Sequence, residues 1–164
     1  MSDLIYYAVE RSFCEYVGAN LGTQSGEVLV FEFPVSELGG SHTYSIEFIS
    51  DTPIPIAGHS IDGGSKGRFI ESLAQIDVFR LPTSSGEPDV AGAKKMVSRV
   101  DSLFKGTHFI PFKTYGSAPT ASTTGTVAGA LQVDLTEVSK TAFDPNQNLR
   151  RYTQTIKIKV KEAF

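Results

Sequence analysis

The chain is expected to fold as a single α+β domain spanning residues 1–164, a mostly antiparallel β-sheet with two α-helices packed on one face and two long loops. Three features point there. Two segments repeat apolar residues at three- and four-residue spacing, six shorter runs carry the β-branched and aromatic content of strands, and the helical segments interrupt the strand series rather than alternating with it.

The first helix is placed at about Asp3–Val17. Ser2 is positioned to cap it, Ile5, Val9, Phe13 and Tyr16 form its apolar face, and Gly18 is expected to end it. Strands follow over 27–33, closed by Pro34, and over 43–49. The segment at about 51–67 holds two prolines and four glycines among Asp and Ser residues, which reads as a long loop. Residues 68–81 predict a central strand, with Ile70, Ala74, Ile76 and Val78 on one face and Glu71, Gln75 and Asp77 on the other. The second helix is placed over 84–106: Ser84 and Glu87 have capping-box spacing, Val90, Ala93, Val97, Val100 and Phe104 make the stripe, and Gly106 supplies the stop. A short strand follows at 108–112. The stretch 113–129 is rich in Ser, Thr, Gly and Ala and reads as a mobile loop or hairpin tip. Strands at 130–138, with Leu131, Val133 and Leu135 inward, and at 152–161, with Tyr152, Ile156, Ile158 and Val160 inward, complete the pattern.

Composition narrows the function. In 164 residues, 18 acidic side chains against 15 basic ones leave a formal charge of −3, so there is no overall basic field of the kind that binds nucleic acid without sequence preference. Cys14 is the only cysteine, which excludes an intrachain disulfide and a cysteine-rich zinc site, and it is expected to be a packed or partly exposed inert thiol. No apolar run approaches the length needed to cross a bilayer as a helix, so a soluble, unprocessed protein with no membrane partner is expected.

No catalytic constellation is complete. Gly58–Gly67 imitates a phosphate-binding loop, but Gly64 stands where the pattern requires lysine. His42, His59 and His108 lie in three separate segments and read as surface or loop residues rather than as metal ligands. There is no Gly-x-Ser-x-Gly, and the carboxylates Glu10, Glu15, Asp89 and Asp101 read as solvated helix charge. No catalytic residue, cofactor or metal is therefore expected. Lys157, Lys159 and Lys161 share one strand face just after Arg150 and Arg151, forming a basic stripe. They read either as guards of an edge strand or as a surface attracted to acidic protein or a passing phosphate backbone.

The segment Ala74-Gln75-Ile76-Asp77-Val78-Phe79-Arg80-Leu81, a short turn, then Ala91-Gly92-Ala93-Lys94-Lys95-Met96-Val97 running to Phe104-Lys105-Gly106 resembles the centre of tailed-bacteriophage tail-terminator proteins. The resemblance implies a structural virion protein with no catalytic residues. Such a protein forms a closed homo-oligomeric ring, usually hexameric, that caps the tail tube and joins it to the neck or head–tail connector. Its partners would be the tail tube protein and neck proteins, with DNA passing through the ring, and its location the virion after assembly in the host cytoplasm. On this reading the long loops supply the contacts, with Asp51, Ile54, His59, Lys66, Lys113, Tyr115 and Thr124 as candidate assembly residues and Lys157, Lys159 and Lys161 as a candidate channel-facing stripe. The alternatives are a neighbouring neck or tail-tube subunit of the same virion and a monomeric protein-binding adaptor.

Overall fold

A computed structural model describes residues 4–31, 40–55, 67–106, 109–141 and 149–163. In chain order these form α1 (Ile5–Asn20), β1 (Glu27–Phe31), β2 (His42–Pro55), β3 (Gly67–Arg80), α2 (Val90–Phe104), β4 (Phe109–Thr114), β5 (Thr126–Thr141) and β6 (Arg150–Ala163). The strands make one six-stranded sheet in the order β1-β2-β3-β6-β5-β4. Every neighbouring pair is antiparallel except β1 with β2, which is parallel. Periodicity marks a strand without giving its direction, so this departure has no trace in the residue pattern.

The sheet curls around α1, which meets β4 at one edge and β2 near the other. Phe13 is fully buried there: its ring stacks on Phe104 of α2 with centroids 5.9 Å apart and meets Phe48 of β2 edge-on at 5.8 Å. α2 lies against β3, β6 and β5. The predicted inward residues Ile70, Ala74, Ile76, Val78, Leu131, Val133, Ile156, Ile158 and Val160 join Phe13, Val100 and Phe104 in a single core. Their burial is the main stabilising term, about 1.5–3 kcal/mol for each large aliphatic side chain.

Several boundaries move. α1 runs through Gly18 and ends where the Leu21 amide reaches the Val17 carbonyl; Leu4, which precedes it, offers no side-chain cap, and Ser2 lies outside the described residues. α2 begins at Val90 rather than Ser84, because Asp89 accepts the Gly92 amide at 2.9 Å. Ser84 and Glu87 instead belong to a turn in which the Thr83 amide donates to the Glu87 carbonyl and Gly86 takes a positive φ of 83°. Val90 is consequently exposed and Met96 takes its place on the buried stripe.

The two long loops are both shorter than expected. Residues 51–55 belong to β2, which pairs with β3 down to Pro55 opposite Arg68. Lys113 belongs to β4, and β5 begins at Thr126, leaving 115–125 as the tip of the β4–β5 hairpin. Alternating backbone pairing tolerates prolines on the open side of β2 and small residues at the start of β5, so composition alone misplaced both boundaries.

Candidate functional site

The expected assembly residues fall into three groups. Asp51 and Ile54 lie on strand β2 rather than in a loop, and Ser72 donates its hydroxyl to the Asp51 carboxylate. His59 and Lys66, with the phosphate-loop imitation around them, lie outside the described residues, as does His108. Lys113 sits on β4 with its ammonium 3.2 Å from Glu15, and Tyr115 is buried. Of the described candidates, Thr124 alone is an exposed loop residue as expected.

The hairpin tip is organised from α1. Arg11 donates to three successive-turn carbonyls, Thr120 at 2.9 Å, Ala121 at 3.2 Å and Thr123 at 2.5 Å, and to the Tyr7 hydroxyl. Its guanidinium also lies 4.2 Å from the centre of the Tyr115 ring. Gly125 has to be glycine, since a Cβ there would come within 2.6 Å of Tyr115. A Ser/Thr-rich segment that buries little of its own is thus held by one planar cation with five donors. Replacing Arg11 with alanine is expected to raise protease cleavage within 117–125 several-fold while leaving the circular dichroism of the sheet unchanged. Unchanged cleavage would mean the tip is held by its own turn hydrogen bonds, such as the Thr120 amide to the Thr123 hydroxyl at 2.7 Å.

The basic stripe lies on β6, an interior strand between β3 and β5, so the lysines do not guard an edge. They alternate with buried Ile156, Ile158 and Val160 and project from the opposite face of the sheet. Carboxylates interleave with them: Lys157 is 3.5 Å from Glu71 and sits across from Asp134, while Lys159 lies over the Phe69 ring at 4.3 Å with Glu71 opposite it in register. On the same face Asp77, 2% exposed, accepts from Arg151 at 2.9 Å, Thr153 at 2.6 Å and Gln75. The stripe is therefore part of a charge-mixed face, where Glu71 and Asp134 offset part of the field of Lys157 and Lys159.

A charge cluster built around the buried Glu27 carboxylate, absent from the sequence-based reading, joins β1, β2, β3 and α2. The Glu27 carboxylate accepts from Arg99 with both oxygens at 2.5 Å and from the Tyr44 hydroxyl at 3.0 Å and the Gln24 amide at 3.1 Å. Arg80 stands 3.7 Å from Glu27 and 2.8 Å from Asp89. Gly92 makes this possible, because a Cβ there would lie 2.3 Å from both the Arg80 Nε and an Asp89 carboxylate oxygen. His42, expected as a loop histidine, starts β2 half-buried, with Nδ1 accepting the Leu81 amide at 3.2 Å. Asp89, expected as solvated helix charge, is the cap of α2 and the partner of Arg80. One signal was present in the sequence: Glu27 is in phase with Leu29 and Phe31 on the face that turns inward, and an inward carboxylate requires partners.

The electrostatics of this cluster follow from burial and its opposing hydrogen bonds. Burial works to raise Glu27, yet the bonds from Arg99, Gln24 and Tyr44 hold it below the ordinary 4.5. The Gly92 amide and Arg80 hold Asp89 below 3.8, burial and then Arg80 hold His42 below 6.5, and burial pushes the Tyr44 hydroxyl up to about 12. All three depressed groups bind fewer protons folded than unfolded. Their contributions are complete above the unfolded values and are lost as pH falls through the folded ones. Stability is expected to decline as pH drops below 6.5 through His42 and to fall more steeply below 4.5 through Glu27. Denaturant midpoints measured from neutral to acid pH check this, and His42→Gln should remove the upper part of the slope.

The cluster balances two arginines against two carboxylates. Among the described residues, no three His, Cys, Asp or Glu side chains come together as a metal site, and no helix is long and apolar enough to cross a membrane. Compared with protein-family models and with curated proteins, the chain matches none.

Large exposed apolar residues fall on two sides of the sheet: Val28, Phe31 and Ile49 on β1 and β2, and Phe109, Val127 and Val138 on β4 and β5. Beside Phe31 a groove of about 230 Å³ runs between α1 and the sheet, lined by Tyr7, Cys14, Ile46 and Phe48 with Glu10 and Arg11 at its rim.

Proposed function

We propose that this protein is a non-enzymatic structural subunit of the tail-terminator type, forming a closed ring that caps a phage tail tube and joins it to the neck. The observation that carries the reading is the division of exposed apolar residues between two different sides of one sheet. Head-to-tail contact between unlike surfaces is what closes a ring, whereas a two-fold dimer needs one self-complementary surface. The resemblance of residues 74–106 to the family adds to this, and in the fold those residues form one strand–turn–helix unit, β3 into α2. Both helices are read as covering the same face of the sheet, supported by the stack of Phe13 on Phe104. The opposite, charge-mixed face, where Glu71 and Asp134 stand beside Lys157 and Lys159 in the stripe that ends at Lys161, suits a channel wall along which DNA passes without being gripped.

Light scattering on the purified protein over a range of concentration and salt tests the proposal. A discrete ring-sized mass, or a monomer that closes into one as concentration rises, is the expected result. Open-ended growth would identify a tube subunit instead, and a monomer under every condition would count against the ring.

A further inference from the structure

The open strand edges of this sheet are not alike. β4 is closed to further pairing: Pro111 lacks an amide hydrogen, and the Lys113 amide and carbonyl are both taken by the Ser12 hydroxyl of α1, at 2.9 and 3.3 Å. Beyond its pairing with β1, β2 carries a bulge at Phe48/Ser50 and then Pro53 and Pro55. Each is a known way to stop an edge from recruiting another strand. β1 has none of them. Its sequence Glu27-Val28-Leu29-Val30-Phe31 contains no proline or bulge, and its single charge is turned inward to Arg99. Among the described residues β1 pairs only with β2, and the bond from the His42 amide to the Gly26 carbonyl sets the alternation so that the backbone of Leu29 and Phe31 faces outward.

Among the described residues one other edge is open. β4 pairs with β5 only as far as Gln132, and past the bulge at Leu135/Glu137 the residues Glu137–Thr141 pair regularly with β6 and, among the described residues, with no strand on their other side. This stretch is as long as β1. We infer that β1 of one copy and the 137–141 edge of β5 of the next copy pair as antiparallel strands, continuing the sheet from subunit to subunit. The inference rests on the ring reading above and gives it a specific joint.

The pleat fixes the register. Phe31 is on the same face of the sheet as Ile46, and Val138 is on the same face as Gln154, whose amide reaches the Val97 carbonyl of α2; both face the helix side. Side chains alternate with period two, so a continuous sheet has to set inward residues opposite inward ones. Phe31 opposite Val138 and Val30 opposite Ser139 satisfy this. The match brings together the exposed apolar residues of the two edges, 49% and 47% exposed, and points Val138 at the groove bordered by Phe31, Phe48 and Tyr7. A subunit keeping the same orientation around a ring axis along the strands presents β5 antiparallel to β1, since β1, β2 and β6 run one way and β3 and β5 the other.

A joint of this length lies well below the roughly 1,600 Å² of a standard stable interface. One such contact makes a weak pair. Stable assembly comes when every copy uses both edges, which is the condition met in a closed ring.

The test places Phe31→Cys and Val138→Cys together in a Cys14→Ser background. Mild oxidation is expected to give a ladder of cross-linked species ending at one closed oligomer, and neither single-cysteine protein should cross-link. Efficient dimers from Phe31→Cys alone would show two-fold β1–β1 pairing and overturn the inference. In parallel, Val28→Lys with Phe31→Lys places charges on the open edge and should weaken association about tenfold or more without altering the monomer's circular dichroism. A ring-sized mass by light scattering together with no Phe31–Val138 cross-link and an unaffected double-lysine variant would overturn the joint while leaving the ring intact. A strict monomer would overturn both.

Discussion

Replacing Phe13 with alanine is expected to destabilise the domain by about 3–5 kcal/mol, the usual range for removing a fully buried phenylalanine ring. Phe13 is 0% exposed and is the point at which α1, α2 and β2 meet, through Phe104 on one side and Phe48 on the other. Neither neighbour can collapse into the space without separating from its own element, so the cavity term adds to the lost transfer energy. For a chain of this size the melting temperature should fall on the order of 10 °C. Phe13→Leu keeps most of the volume and should cost less than half as much. Thermal and urea unfolding of the two variants checks this, and a loss below about 1 kcal/mol for the alanine would mean the helices hold to the sheet mainly elsewhere. The functional consequence is indirect: α1 carries Arg11 and Ser12, so loosening it releases the hairpin tip and uncovers the β4 edge that Ser12 closes.

Phe13 was legible from the sequence, and the reason shows where legibility ends. It belongs to an uninterrupted apolar period, as do Ile76, Val133 and Ile158, and such periods report which face of an element turns inward. They do not report which strand lies beside which. Lys157, Lys159 and Lys161 were correctly placed on one face, yet whether β6 was edge or interior depended on strand order, and the interior position removes the edge-guard reading. The loop boundaries failed for a different reason. Pro53 and Pro55 looked like breakers, but on the far part of β2 no further strand needs their missing amides. The hairpin tip at 115–125 has little apolar content of its own, and its anchor, Arg11, lies more than a hundred residues earlier in the chain. The charge cluster around Glu27 was hidden for the same reason: Glu27, Tyr44, Arg80, Asp89 and Arg99 are spread over four elements that only the fold brings together.

Arg99→Ala is expected to destabilise the protein by about 3 kcal/mol, because it leaves the Glu27 carboxylate buried without its principal partner. Glu27's side chain is only 2% exposed, while that of Arg99 is 29% exposed, so the arginine gives up less hydration in the folded state than the carboxylate it serves. This asymmetry predicts an unequal pair of mutants. With Glu27→Gln the pocket keeps a neutral group of the same shape, and Arg99 and Arg80 can turn toward solvent and Asp89, so the cost should be near 1–2 kcal/mol. Adding Glu27→Gln to Arg99→Ala should then recover part of the loss. A double-mutant cycle read by urea unfolding gives the coupling directly. The pH dependence separates the two explanations of any loss. If the cost of Arg99→Ala comes from an unpaired carboxylate, it should shrink as acid protonates Glu27, whereas a loss that came from packing of the arginine stem would persist across the whole range. Because β1 is held to the rest of the domain by this cluster as well as by its ladder with β2, Arg99→Ala should also weaken the proposed pairing through β1, at concentrations where the monomer itself remains folded.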